Sequence, residues 1–292
     1  MDISGGHTRS AFLLSLLSLD GVGRAAAYKL FTAFDSFDDI RRYPDEQIAT
    51  RLKRIPRVTS ILEQLNQKEA TEEAFKRHLA QVHSMEDKGI SIITPDHESW
   101  PPFFGKISAS ARPPFLFAFG KTDLLDTPGV AMHIPESPAA SSPFTVVVDR
   151  LSEQEIPLVV QEDDFARLPD AYRPLILVLR TGLESVQTAT REIIKRVVND
   201  GGLIISPFEM DHQHFRHDIP YLNTTVNGLG RVVVYADVPY EHPSFDEMLR
   251  LTESGLPIFA INMKQDLPDG VHPVHSAEDA EWILASIGAF DL

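Results

Sequence analysis

Three clusters in this sequence carry side chains that could do chemistry. The stretch Asp211-His212-Gln213-His214-Phe215-Arg216-His217-Asp218 gathers three imidazoles and two carboxylates. His214 and His217 are three apart, so one helical turn would put them on one face, and imidazoles suit zinc or nickel. No cysteine is present to complete a thiolate site. Histidines on a surface loop need no metal, so the expectation is neither metal nor cofactor. The run Gln161-Glu162-Asp163-Asp164 sets three acids in a row. Paired carboxylates can move protons, but spacing alone places no acceptor beside a substrate, so a solvated acidic loop is expected. The third cluster is Arg51-Leu52-Lys53-Arg54-Ile55-Pro56-Arg57, four cations in seven residues. Such a run is either a solvated helix end or a phosphate-facing patch.

The familiar catalytic patterns are missing. There is no Gly-x-Ser-x-Gly elbow, no phosphate-binding P-loop and no His-Glu-x-x-His helix. No residue is therefore assigned a catalytic role, and binding is expected in place of catalysis.

Charge narrows the choice of partner. The formal net charge is −15, yet residues 1–80 hold 12 Lys and Arg against 11 Asp and Glu, and the remainder holds 15 against 31. A polyanion needs a positive field, so the first segment is the better candidate for touching nucleic acid. The first ten residues lack the charged-then-apolar order of a signal peptide. The longest nearly apolar stretch, 11–19, is far shorter than the ~20 residues of a membrane span. A cytoplasmic protein without membrane contact is expected.

The elements that must position these groups change character near residue 83. Residues 11–19 read as an apolar helix, Asp20-Gly21-Val22-Gly23 as a tight turn, and 24–34 as a second helix. That is the pattern of a helix-hairpin-helix module, whose turn N–H groups meet DNA phosphate. A plain turn in a small bundle explains the same glycines. Two or three more helices follow, giving a helical domain over residues 1–83. From Gly89 onward short apolar runs alternate with helical periods, the mark of an α/β domain over 84–292.

Strands are expected at 90–94, 115–119, 129–133, 158–160, 175–179, 203–206, 231–236 and 257–261. The segment 144–148 is in conflict. It is β-branched, but Phe144, Val147, Val148 and Leu151 fall at helical spacing behind Ser142-Pro143, so helix is the reading. A helix over 188–199 should stop at Gly201-Gly202. Ser244 to Glu247 reads as a capping box, and Ser276 as the cap of the last helix. The expected fold is α/β, an extended Rossmann-like, mostly parallel sheet with helices on both faces. A small helical domain of helix-hairpin-helix or SAM-like type precedes it.

This order of pieces resembles the DprA/Smf family of DNA-processing proteins, and the punctuation supports it. Gly89-Ile-Ser-Ile-Ile-Thr-Pro95, Trp100-Pro-Pro, Arg112-Pro-Pro-Phe-Leu-Phe-Ala-Phe-Gly120 and Leu124-Leu125 follow the family's lead-in at matching separations. The phosphate-binding landmarks depart from it. Ile134-Pro135-Glu136 stands where the family has Gly-Ser-Arg, and Gln161 to Asp164 where it has a glycine-rich turn. In the third landmark Pro220, Asn223, Gly228 and Leu229 keep their places, while Leu222 and Thr224 replace two arginines. Residues that shape the backbone survive, and those that grip phosphate are replaced by acids and neutral groups.

The resemblance implies a non-catalytic DNA-processing protein of DNA uptake and recombination, with a degenerate pocket for single-stranded DNA. It also implies a RecA-like recombinase as partner and a homodimer. Any weak binding of single-stranded DNA is expected at Gly21, Gly23, Lys53, Arg54 and Arg57. The alternative is a nucleotide- or small-ligand-binding Rossmann sensor or enzyme, with Ser137, Thr181, Gly182, Asn223 and Gly228 lining the pocket beyond the strand ends.

Overall fold

The structure is a computed structural model that describes residues 3–107, 110–138, 142–169, 172–239, 241–263, 266–276 and 278–288. Its chain divides into two compact units, residues 1–100 with 108–118, and residues 101–107 with 119–292. The texture of the sequence changes after residue 83, whereas packing keeps the first strand and residues 108–118 with the helices. Among the described residues no helix is long and apolar enough to cross a membrane.

The first unit opens with α1 (Ile3–Leu17), α2 (Arg24–Ala33), α3 (Phe37–Ile40), α4 (Asp45–Arg51), α5 (Val58–Leu65) and α6 (Lys68–Glu86). Strand β1 (Ile90–Ile93) follows, and β2 (Leu116–Gly120) begins in this unit. The apolar run foreseen at 11–19 supplies the core. Phe12, Leu13 and Leu16 are buried, and the Phe12 ring packs against Phe31 at 6.2 Å and edge-on to Phe37 at 5.1 Å. Such aromatic pairs add to what their buried area contributes. Helix α3 starts where Ser36 accepts the Asp39 N–H at 3.1 Å, a side-chain cap for an orphan donor. Arg112 of the Arg-Pro-Pro motif lies flat over the Tyr28 ring at 3.5 Å, so it packs the helical unit.

In the second unit, strands and helices alternate as β3 (Val130–His133), α7 (Phe144–Glu153), β4 (Leu158–Gln161), α8 (Glu162–Phe165), β5 (Leu175–Val178), α9 (Thr188–Asn199), β6 (Leu203–Ser206), α10 (Ile219–Leu229), β7 (Val232–Ala236), α11 (Ser244–Thr252), β8 (Ile258–Ile261), β9 (Val271–Val274) and α12 (Ala280–Gly288). The strands lie in the order β6-β5-β4-β3-β7-β8-β9. Each described pair is parallel, with Ala131 opposite Val159 on one side and Val233 on the other. Strands such as Leu-Ile-Leu-Val and Val-Val-Val-Tyr-Ala are aliphatic on both faces because helices cover both. Residues of α7, α9 and α12 join Val130, Met132, Val232 and Val234 in one core. Helix α10 lies over the opposite face, where His133 and Tyr235 point. The order reverses at β3, so the crevice between the C-terminal ends of β3 and β7 is the switch point.

The segment 144–148 is helical, as its spacing required. Phe144, Val147, Val148 and Leu151 are all buried on the sheet, so packing decides against β-propensity. Other expectations are corrected. The acids at 162–164 form the turn of helix α8, with Asp164 buried. Ser244 is the first residue of α11 with Pro243 ahead of it, so no capping box forms and Glu247 turns elsewhere. Before α12, Asp279 accepts the N–H groups of His275 and Ser276 at 2.8 and 2.9 Å and the Ser276 hydroxyl at 3.2 Å. Strand β9 escaped the reading because His272 and Pro273 interrupt its aliphatic pattern.

Gly228 sits where α10 meets the ring of Phe104, and a Cβ at that position would collide with this fully buried ring. Replacing Gly228 with alanine should lower stability by about 1–3 kcal/mol, read from the urea midpoint. In a Phe104→Leu background the same change should cost less. Equal costs in the two backgrounds would show that the ring is not what the helix needs.

Candidate functional site

Two places gather polar side chains, one in each unit. In the second unit a hydrogen-bonded chain crosses the ends of β3 and β4 beneath α10 and α11. Gln161 Nε2 donates to Asn223 Oδ1 at 2.7 Å, and Asn223 Nδ2 donates to Glu247 Oε2 at 2.6 Å. Asn227 Nδ2 donates to the other carboxylate oxygen of Glu247 at 3.1 Å. The Asn227 amide oxygen is left to accept, so His133 Nε2, 2.7 Å away, carries the proton. The His133 ring stacks on Tyr235 at 4.7 Å between centroids. Burial first, and then the Glu247 charge, holds the Tyr235 phenol well above its ordinary pKa. Its buried hydroxyl makes no hydrogen bond of good geometry.

The three acids after β4 are not a solvated loop. Glu162 accepts the Thr190 hydroxyl at 2.5 Å, Arg180 pairs with Asp163 at 2.9 Å, and Arg167 pairs with Asp164 at 2.9 Å. Burial pushes the Asp164 carboxyl up, against the pull of His133 and Arg167. Across the switch point Asp237 takes a left-handed backbone, φ 51°. It accepts from the Ser142 hydroxyl and from Asn262 Nδ2, each at 2.6 Å. Burial lowers the His242 imidazole pKa, opposed by Glu136 and Glu247. Glu136, Asp237 and Glu247 thus give the crevice a negative rim, and an oxyanion there would meet carboxylates.

The five residues expected to line a ligand pocket are divided among different tasks. Ser137 is exposed after β3, and the Thr181 carbonyl accepts the Ser206 hydroxyl at 2.8 Å. Gly182 is pressed against the carbonyls of Glu209 and Met210, and Gly228 against Phe104. Only Asn223 belongs to the polar chain. Sequence reasoning missed His133, Gln161, Asn227, Tyr235 and Glu247. One signal was available, since Asn223 and Asn227 are four apart and share a helical face.

The histidine-rich stretch is organised by stacking and by one carboxylate. His212 lies flat on Phe208 at 4.3 Å and donates from Nε2 to Asp218 Oδ2 at 3.0 Å. His217 stacks on exposed Phe215 at 5.3 Å. His214 precedes the short 3₁₀ turn that holds His217, so the two do not share a helical face. No cluster of three metal-ligating side chains occurs among the described residues. Burial raises the Asp218 carboxyl, but the His212 and Phe215 N–H groups outweigh it and leave the pKa below its ordinary 3.8.

In the first unit two turns lie side by side. Gln64 clamps the backbone of Asp20, accepting its N–H at 2.9 Å and donating to its carbonyl at 2.8 Å. Gly21 has φ +78°, which favours glycine, and the Arg57 side chain lies 3.6 Å from where its Cβ would be. Arg57 also reaches Asp20 at 3.7 Å. Lys29 donates to the Lys53 carbonyl at 3.0 Å, tying α2 to the second turn. Gly23, Lys53, Arg54 and Arg57 are all exposed on this surface. The structure therefore joins the glycine turn to the basic run.

No protein-family model matches the chain, and no curated protein matches it. Solved structures do. DNA processing protein A of Streptococcus pneumoniae superposes with a TM-score of 0.65 at 17% identity, over 95% of this chain and 97% of that one. This is the fold of DNA processing protein A. The Helicobacter pylori protein of that name, described in its single-stranded DNA binding mode, gives 0.54 at 19% identity over 67% of this chain and 96% of that one. The mostly parallel sheet and helical lead-in expected from the sequence are those of the DprA fold.

Glu247 is the common acceptor of two asparagine amides, so Glu247→Ala should cost about 2 kcal/mol. A double-mutant cycle with Asn223→Ala should show coupling of about 1 kcal/mol; additive effects would place the two residues in separate networks. Because the Asp218 pKa is depressed on folding, its charge adds stability above pH 3.8 that is lost as pH falls through the folded value. The melting-temperature gap between the native chain and Asp218→Asn should be widest near neutral pH and close on acidification below 3.8. A gap independent of pH would remove the carboxylate from this role.

Proposed function

We propose that this chain is a non-catalytic DNA-processing protein that binds single-stranded DNA weakly through its helical unit. The observation that carries this reading is the packing of Arg57 against Gly21, which brings one end of the exposed basic run, Lys53, Arg54 and Arg57, to the glycine turn. Exposed backbone at a glycine turn and the N-terminal end of α2 offer N–H groups to phosphate, and the cations add a salt-dependent attraction. The fold shared with a protein studied in its single-stranded DNA binding mode supports the ligand class. The negative rim at the switch point argues against a polyanion there. No nucleophile-and-base pair stands among the described polar groups, whose acids pair with arginine, threonine or asparagine.

The protein works by association in this reading, as a homodimer that engages a RecA-like recombinase. The alternative, a nucleotide in a pocket formed by Ser137, Thr181, Gly182, Asn223 and Gly228, has less support. Asn223 already bonds through both ends of its amide, and both glycines face packed atoms.

Fluorescence anisotropy with a labelled oligothymidylate tests the proposal. The triple substitution of Lys53, Arg54 and Arg57 by alanine should weaken binding by roughly tenfold and reduce the salt slope by about 2. Charge reversal at Glu136 should leave the slope unchanged. Tight binding that survives the triple substitution would move the site elsewhere in the molecule. Light scattering with and without a recombinase reads the association.

A further inference from the structure

A cavity of about 550 Å³ outside both places described above runs along β1. Ile90, Ser91 and Ile92 line it in succession. Their side chains alternate in direction, so the cavity follows the edge of the strand and not one face of it. β1 ends the strand order, with β2 as its only strand neighbour among the described residues. Its N–H and C=O groups on the other side therefore have no strand partner among the described residues. Protein edges are commonly blocked by proline or charge, as Pro273 does in the end strand β9, but Ile90-Ser-Ile-Ile93 carries neither.

The walls and the charges define what can enter. His7 and Arg9 of α1, Val82 and Glu86 of α6, and Glu98 also line it, and a second copy paired at β1 would bring its own α1 and α6 against them. Arg9 is already committed to Asp96 at 2.6 Å and to the carbonyls of Phe31 and Phe34 at 2.8 and 2.9 Å. Among the described residues the Glu86 carboxylate meets only an imidazole, His7 at 3.1 Å, and Glu98 is exposed. The uncommitted charge is negative, while Val82, Ile90 and Ile92 make the floor apolar.

We propose that this edge takes up an extended segment of a partner protein by strand addition. About four residues would pair with β1, matching its length. Their alternate side chains are apolar over Ile90 and Ile92, and a lysine or arginine faces Glu86 or Glu98. This surface is independent of the nucleic-acid reading, since it shares no residue with the glycine turn or the basic run.

The test uses the full chain and three fluorescein-labelled peptides of about ten residues with alternating valine and threonine. One has lysines at both ends, one has glutamates, and one keeps the lysines but has prolines in its centre. The lysine peptide should bind roughly tenfold tighter than the glutamate peptide, the proline peptide should not bind, and the β1 amides should exchange more slowly in the complex. The double variant Glu86→Lys, Glu98→Lys should reverse the order of the first two, with melting and circular dichroism confirming its fold. Absence of binding, indifference to proline or an unreversed order would overturn the proposal. So would a concentration-dependent dimer abolished by Ser91→Lys, which would give the edge to a second copy.

Discussion

A half-buried carboxylate needs hydrogen-bond donors in place of the water it has lost, and Glu247 receives them from two asparagines on a neighbouring helix. That requirement ties α11 to α10, and through Asn227, His133 and Gln161 it ties both helices to the ends of β3 and β4. The strands themselves are held by aliphatic burial, which is strong but carries no direction. Direction at the switch point comes from this polar chain. These hydrogen bonds are directional, so the chain fixes which faces of α10 and α11 turn toward each other and toward the strand ends.

The same arrangement explains why the crevice has the wrong sign for phosphate. In open parallel sheets ligands sit beyond the carboxyl ends of the strands, often on backbone N–H groups freed by glycine. Here the turn after β4 is a short helix of acids, two of them paired with Arg180 and Arg167. The arginines present neutralise the protein's own carboxylates. In the helical unit the balance is opposite, because among the described residues Lys53, Arg54 and Arg57 outnumber the one acid, Asp20, that reaches them. The uneven charge visible along the chain thus has a local counterpart in what each surface can attract.

Legibility differed between the fold and the site for a physical reason. A buried parallel strand announces itself by an unbroken aliphatic run, and a covering helix by apolar residues at its period, so β3 to β8, α7 and α9 were all readable. β9 was not, because a proline and a histidine occupy its exposed edge. The polar chain was nearly invisible. Its members come from five elements, Gln161 and Glu247 being 86 positions apart in sequence, and no spacing rule links them. Ser244 to Glu247 misled because the pattern of a capping box also fits a helix whose glutamate has a better partner in Asn223.

What the sequence determined unaided is the layer plan, a helical lead-in followed by a two-face-covered parallel sheet, because burial acts on residue type and period alone. It also determined that three acids in a row follow one of the strands and that glycines recur at its turns. Only the tertiary structure decided what these residues do: that the three acids are paired, that Gly228 makes room for Phe104, and that Arg57 lies on Gly21. Those outcomes depend on partners brought together across the chain, and a hydrogen bond or close contact exists only once both sides are in place.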